Sequence, residues 1–220
     1  VETKVRIYSM FHSVDGEVNN RGIGSPATFI RFAGCSANCK YCDTEYAKPA
    51  NSGSTITVGQ IIKALELYGC KNVTITGGEP LEQEAALQAL LYQLEARDYN
   101  VSIETNGLHK FTKLLKPHGY AHWVVDIKQD GLVLMDTYIL MALNNMDIIK
   151  MVVGNETEFK EALNRKTFLQ DQGVAARFAF SPKHGIASPN NVLSWIKKYN
   201  QMDAMLNVQL HKVCELDEAN

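Results

Sequence analysis

No stretch of this chain stays apolar for the roughly 20 residues that cross a bilayer, which excludes a membrane-spanning helix. Charge of one sign is equally scarce. Lys and Arg number 22 against 24 Asp and Glu, for a formal net charge of −2. A balance so close to zero gives no bulk attraction to nucleic acid or to an anionic membrane surface. Linkers, low-complexity tracts and internal repeats are missing, so one domain over residues 1–220 is expected. Val1 to Arg6 alternate polar and apolar and carry charge, unlike a signal peptide, and the expectation is a cytoplasmic protein. Cysteine is sparse, odd in number and unevenly placed. Cys35, Cys39 and Cys42 fall within eight residues, while Cys70 and Cys214 stand alone. That is a poor disulfide framework and a better set of ligands.

What is present belongs to an ordinary globular chain: 220 residues, 45% hydrophobic and 21% charged. Folding at this length buries roughly 70% of the unfolded surface. Short β-rich runs alternate with helical ones. Strands are expected over Ala27–Phe32, Asn72–Thr76, Asn100–Glu104, His122–Asp126, Asp147–Val153, Ala176–Ser181 and Met205–Gln209. Their centres, Val-Thr-Ile and Trp-Val-Val among them, read as parallel strands buried on both faces. Thr57-x-x-Gln60 is a capping box opening a helix through Tyr68. Leu87, Leu90, Leu91 and Leu94 form one stripe of a helix over Leu81 to Arg97. Ser188-Pro189 starts a helix toward Tyr199, and Glu156 to Gln172 is helical with a break expected near Asn164.

Such alternation implies right-handed βαβ units. Six or seven units fall short of a closed eight-stranded barrel, so the fold class is α/β, an open partial (β/α)6-type TIM-like barrel. Reactive groups in these folds gather at the C-terminal strand ends. The polar motifs follow that rule: Cys35 comes after Phe32, Gly77-Gly78-Glu79-Pro80 after Thr76, Lys128 after Asp126, Pro182-Lys183 after Ser181, and His211 after Gln209.

The loop Cys35-Ser-Ala-Asn-Cys39-Lys-Tyr-Cys42 can wrap three thiolates around one small object. A structural zinc site needs a fourth ligand, which Cys70, Cys214 or a distant His would have to supply. A Cys39–Cys42 redox pair leaves Cys35 without a role. A [4Fe–4S] cluster on three cysteines keeps one iron open for an outside chelate. The amino and carboxylate groups of S-adenosylmethionine suit that position, and the chemistry is then the cofactor's. The Gly77-Gly78-Glu79-Pro80 turn adds glycines that let backbone approach a ligand, with Glu79 available to an ammonium.

With these motifs the sequence resembles the radical S-adenosylmethionine superfamily. More narrowly it resembles the 7-carboxy-7-deazaguanine synthase family. The likeness is carried by Phe11-His-Ser-Val-Asp-Gly16-Glu17, Phe29-Ile-Arg31-Phe-Ala-Gly-Cys35, Cys42-Asp43-Thr44, Thr76-Gly-Gly-Glu-Pro80, Ile103-Glu-Thr-Asn-Gly107, Phe180-Ser-Pro-Lys183 and Val208-Gln-Leu-His-Lys212. The resemblance implies a homodimeric radical lyase of the queuosine and 7-deazapurine pathway. Its substrate would be 6-carboxy-5,6,7,8-tetrahydropterin, contracted to 7-carboxy-7-deazaguanine with loss of ammonia. Implied cofactors are the cluster on Cys35, Cys39 and Cys42, S-adenosylmethionine, and Mg²⁺ on Thr44. An electron donor of the flavodoxin or ferredoxin type is implied, with no direct nucleic-acid or membrane partner. S-adenosylmethionine would be contacted by Tyr41, Asp43, Gly78, Glu79, Asp126, Ile127, Lys128, Phe180, Ser181, Pro182 and Lys183. The substrate would be contacted by Val14, Asp15, Gly16, Glu17, Arg31, Thr76 and His211, with the Arg31 fork on its carboxylate.

The chain departs from the family pattern in three places. Asp15 stands where Gln is usual, and an ionised Asp only accepts hydrogen bonds. Asp126-Ile127-Lys128 replaces a Ser-Pro-Lys, and an acidic tail, Glu215 to Asn220, runs past His211. Other features read as structural. Cys70 is expected as a small buried hydrophobe, Met135, Met141, Met146 and Met151 as core filling, and Lys110, Lys113 and Lys116 as a solvated helix face. The rivals are another small radical enzyme, such as a glycyl-radical activase, and a zinc-stabilised binding domain.

Overall fold

Strand residues alternate between an apolar set facing helices and a more polar set facing the other way, and this period of two builds the molecule. The structure, a computed structural model, describes residues 2–39, 42–109, 121–127 and 140–216. Its strands are β1 (Lys4–Val14), β2 (Pro26–Phe32), β3 (Ser54–Thr57), β4 (Asn72–Gly77), β5 (Asn100–Thr105), β6 (Ala121–Ile127), β7 (Ile148–Val153), β8 (Arg177–Pro182) and β9 (Met205–Leu206). They form one open sheet in the order β3-β1-β2-β4-β5-β6-β7-β8-β9. From β2 through β9 every neighbouring pair is parallel, whereas β1 runs antiparallel to both β2 and β3.

The expected parallel half-barrel is therefore present, with an antiparallel pair added at one edge. Lys4–Val14 was not expected as a strand, yet its alternation buries Val5 and Ile7 against the helix-side core. A bulge between Ile7 and Ser9 then reverses the faces. Phe11 consequently lies on the opposite side, stacked on Phe29 with ring centroids 5.2 Å apart. At the far edge β9 is only two residues long, where a strand to Gln209 was expected. Asn207 leaves the ladder there: its N–H donates to the Phe180 carbonyl and its side chain reaches Val18 N and Ser181 Oγ.

Helices α1 (Val58–Tyr68), α2 (Glu84–Glu95), α3 (Glu156–Asp171) and α4 (Pro189–Lys198) accompany the sheet, with a short α5 (Leu210–Val213) near the C-terminal end of the described chain. Thr57 and Gln60 form the expected capping box, and Ser188 with Pro189 opens α4 as expected. A 3₁₀ turn over Pro80–Gln83 precedes α2, whose Leu87, Leu90, Leu91 and Leu94 are fully buried. Each such side chain stabilises the fold by ~1.5–3 kcal/mol relative to exposure. Contrary to expectation, α3 is unbroken at Asn164; that residue is exposed, so its amide stays in water and costs only weak helix propensity. The core between helices and sheet takes Ile30, Ile75, Ile103, Trp123, Ile149 and Phe180 from successive strands.

The segment between β1 and β2 lies against the opposite face. Val18 packs on Ile148, Ala179 and Met205. Arg21 bonds both oxygens of Asp15 at 2.8 and 2.9 Å, along with Thr74 Oγ1 and the carbonyls of Val73 and Asn100. This buried ion pair seals the sheet face near the strands' N-terminal ends, so the open space lies toward their C-terminal ends. Of the expected core methionines among the described residues, only Met151 is buried; Met141 and Met146 are exposed in the turn before β7. Cys70 is half-buried just ahead of β4, with its thiol against the carbonyls of Pro26 and Asn72 rather than in the core. Met135, Lys110, Lys113 and Lys116 lie outside the described residues.

Candidate active site

A cavity of about 220 Å³ opens at the C-terminal strand ends, and Cys35, Cys39 and Cys42 all line it. The loop that carries them is rooted by backbone contacts to the glycine turn after β4. Gly78 N donates to Phe32 O at 2.9 Å and Glu79 N to Gly34 O at 2.7 Å. A Cβ at residue 77 would lie 2.2 Å from Phe32 O, and one at residue 78 would lie 2.0 Å from Gly34 O. The glycines thus serve the approach of two protein backbones, and both also line the cavity. Gly77 also sits at φ 137°, a conformation other residues avoid.

Glu79, expected to be available to an ammonium, has protein partners in this structure. It is fully buried and accepts from Leu81 N at 3.0 Å, Thr105 Oγ1 at 2.8 Å and Asn106 N at 2.8 Å. Burial raises its pKa against the opposing pull of these donors. Its carboxylate ties the glycine turn to the end of β5, and Glu79 is not among the residues that line the cavity.

The polar set of strand residues forms the floor. Arg31 is 5% exposed, with its guanidinium carbon 5.7 Å from the ring centres of both Phe11 and Tyr46. Thr76 Oγ1 donates to Glu104 Oε2 at 2.8 Å. Lys150, on β7 beside Asp126, is ion-paired to Glu17 and lies 3.8 Å from Asp126 Oδ2. Burial alone would lower the Lys150 pKa, but the carboxylates of Asp126, Glu17 and Glu104 outweigh it and hold the ammonium charged. Glu17 shows the converse: burial disfavours its charge, and Lys150 with Gln209 more than compensates, leaving its pKa lowered. Glu104 is pushed up to about 7, first by burial and then by the charge of Glu17. Cation, ionised carboxylates and one carboxyl poised near neutrality thus share one wall.

The fit to a cluster is testable from the sulfur environments. Asn106 Nδ2 points at Cys35 Sγ from 3.8 Å, and Cys42 Sγ lies 3.7 Å from Thr44 Oγ1. An amide N–H aimed at the Cys35 sulfur suits a thiolate ligand. Burial, assisted by Glu79 and Glu82, raises the Cys35 pKa, so the bare thiol favours its proton and metal binding must release it. Among the described residues no three of His, Cys, Asp and Glu are gathered as one metal ion would need. Each thiolate of a cluster binds a different iron and needs no such convergence. Cys70 lies at the start of β4, the end of the sheet opposite the loop, and is no fourth ligand. The three thiols fit a cluster with an open iron.

Val14, Gly16, Glu17, Arg31 and Thr76 line the cavity together with His211, as do Thr44, Asp43, Gly78, Asp126, Ser181, Pro182 and Lys183. Asp15 does not, contrary to expectation: its carboxylate is consumed by Arg21 and Thr74, which also donates to it at 2.7 Å. Ile127 and Phe180 are buried on the helix side, so neither side chain reaches the cavity. Tyr41 and Lys128 fall outside the described residues. Sequence reasoning missed Glu104, Lys150 and Gln209, all lining the cavity. For Lys150 the signal was available as a lone charge inside an apolar β-run, Ile148-Ile-Lys150-Met-Val-Val153.

Comparison with known proteins agrees with this geometry. The sequence profile of the Radical SAM superfamily matches residues 29–130. A 7-carboxy-7-deazaguanine synthase of Clostridium acetobutylicum is 32% identical over 94% of this chain and 95% of its own length. One from Chlorobaculum tepidum is 29% identical over 96% and 94%. The crystal structure of QueE from Escherichia coli superposes with a TM-score of 0.75 over 94% of each chain at 22% identity, a likeness of fold. The chain belongs to the 7-carboxy-7-deazaguanine synthase family within the radical S-adenosylmethionine superfamily.

Proposed function

We propose that the protein converts 6-carboxy-5,6,7,8-tetrahydropterin into 7-carboxy-7-deazaguanine, a ring contraction that expels ammonia. The observation that carries the reading is the arrangement under the cysteine loop: a fixed guanidinium, Arg31, on the same floor as the acceptors Glu17 and Glu104. A planar carboxylated pterin offers one anionic group and several N–H donors, and this floor offers the complement. Cys35, Cys39 and Cys42 would hold the [4Fe–4S] cluster, leaving S-adenosylmethionine to Gly78, Asp126, Ser181, Pro182 and Lys183. Bound there, the cluster and S-adenosylmethionine supply a 5′-deoxyadenosyl radical.

The protein's own groups do the binding and orienting. Arg31 grips the substrate carboxylate through its fork. Glu17, kept ionised by Lys150, accepts from pterin N–H groups. Thr76 and His211, which also line the cavity, complete the contacts. Thr44 presents a hard oxygen for Mg²⁺, with the substrate carboxylate and water filling its shell. The same reading includes an electron donor of flavodoxin or ferredoxin type, a homodimer, a cytoplasmic location and a single domain over residues 1–220.

The experiment is a product assay on anaerobically reconstituted protein with the carboxy-tetrahydropterin, dithionite and S-adenosylmethionine. A 7-deazapurine product is expected. Its absence at every Mg²⁺ level sinks the reading, and stoichiometric zinc without acid-labile sulfide would favour a structural metal domain instead.

A further inference from the structure

The C-terminal wall of the cavity is held by a run of hydrogen bonds whose donor and acceptor roles are all fixed. Lys212 Nζ donates to Gln209 Oε1 at 2.8 Å and to Asp43 Oδ2 at 3.0 Å. Gln209 Nε2 in turn donates to Glu17 Oε1 at 2.6 Å, and the other oxygen of Glu17 meets Lys150 Nζ. An ammonium has donors only. The carboxamide of Gln209 must therefore turn its oxygen to Lys212, which leaves its N–H₂ facing Glu17. Reversed, it would set N–H against Nζ and oxygen against a carboxylate, two repulsive contacts.

The members sit on three separate parts of the chain. Asp43 follows the third cysteine, Gln209 and Lys212 belong to the last turn, and Glu17 lies in the segment between β1 and β2. The same junction is pinned by Leu210 N donating to Gly16 O at 2.7 Å. The Asp43 and Lys212 side chains are 49% and 22% exposed, so their ion pair is screened and contributes little to stability. Its consequence is orientation.

We propose that Lys212 is a positioning residue: it locks the Gln209 amide so that Glu17 meets a ligand in one orientation, and it fastens that floor to the Cys42-Asp43-Thr44 segment. The ligand arm rests on the pterin reading above; the structural arm does not.

The test uses cluster-loaded protein carrying Lys212→Met, which keeps the aliphatic stem, and Lys212→Arg, which keeps a donor. Lys212→Met is expected to raise KM for the carboxy-tetrahydropterin about tenfold while kcat stays within about twofold. Lys212→Arg should bring KM back to within about threefold of the parent. Without any pterin, amide hydrogen exchange in Lys212→Met should quicken around residues 14–18 and 42–48 and stay at parent rates in the α1 and α2 cores. Parent KM together with parent exchange overturns the proposal. So does a joint loss of KM, kcat and melting temperature that Arg fails to rescue, which marks a merely structural lysine. If the parent enzyme makes no product, the pterin reading falls, and the exchange data alone decide whether Lys212 fastens the two segments.

Discussion

Gly16 and His211 claim the same space: a Cβ at residue 16 would lie 2.2 Å from His211 Nδ1 and 3.0 Å from its Cγ. Gly16 does not have a positive φ, so the demand is for room and not for conformation. Because the Gly16 carbonyl also receives Leu210 N, the two segments cannot simply drift apart.

Gly16→Ala should therefore push the imidazole out of the cavity wall and weaken substrate binding by about tenfold or more, at a stability cost of ~1–3 kcal/mol. Adding His211→Ala should return the melting temperature toward that of His211→Ala alone. Additive losses in the double variant would show that the two residues are not in conflict.

Local rules made much of this fold readable. Thr57 with Gln60 and Ser188 with Pro189 are short-range signals that no tertiary contact overrode. The cysteine loop was legible because its spacing, taken with the glycine turn after β4, favours a cluster over zinc or a redox pair. Side-chain direction was not legible. Asp15 and Glu79 sit in motifs that belong to the site, yet each turns inward, toward Arg21 and Thr74 or toward the β5 end. Leu81 N, two residues on, is the one local partner of Glu79; Thr74 for Asp15 and Thr105 with Asn106 for Glu79 lie 59, 26 and 27 residues away, beyond any local pattern. Glu104 and Lys150 were hidden for a related reason. A strand such as β7, whose one polar residue is Lys150, reads as buried on both faces until the sheet reveals that its inner face is a cavity floor.

Glu104 gives the protein a pH signature. Its folded pKa of about 7 stands above the ordinary 4.5, so the folded chain holds this proton more tightly than the unfolded one. The contribution is present in full below about pH 4.5 and is lost as pH rises through about 7. Glu17, whose pKa is lowered, works in the opposite direction and loses its contribution on acidification. Glu104→Gln removes only the first effect. Its melting temperature relative to the parent should rise by a few degrees from about pH 5 to about pH 8. A difference that stays flat over that range would mean Glu104 titrates normally.

Glu79 separates a scaffold from a ligand contact. Glu79→Ala leaves Leu81 N, Thr105 Oγ1 and Asn106 N without their acceptor in a buried site. A loss of ~2–4 kcal/mol is expected, with poor iron incorporation because the glycine turn roots the cysteine loop. The decisive measurement is iron and sulfide per chain alongside thermal stability. Were Glu79→Ala to keep both and lose only affinity for S-adenosylmethionine, the carboxylate would be contacting that ligand after all.

Cluster ligation makes a clean division among the five cysteines. Cys35→Ala, Cys39→Ala and Cys42→Ala should each abolish the anaerobic iron content, while Cys70→Ser and Cys214→Ser keep it. Cys70 faces carbonyls at the far end of the sheet, and Cys214 is exposed past α5. Loss of iron in Cys70→Ser would place a fourth protein ligand on the cluster and close the position reserved for S-adenosylmethionine.

Arg31 is held by packing before any ligand arrives. Its guanidinium stands 5.7 Å from both the Phe11 and the Tyr46 rings, and Phe11 is itself fixed by stacking on Phe29. A fork fixed in this way meets a planar carboxylate without further ordering, and lysine cannot reproduce it, being a point charge on a flexible stem. Arg31→Ala should raise KM for the pterin about a hundredfold, and Arg31→Lys should recover only part of that. Reductive cleavage of S-adenosylmethionine without substrate should stay near the parent rate in both, because that step needs the cysteine loop and not the floor. Measuring 5′-deoxyadenosine with and without the pterin distinguishes the two effects. Equal loss of both activities would assign Arg31 to the support of the cluster and leave the substrate carboxylate without its partner.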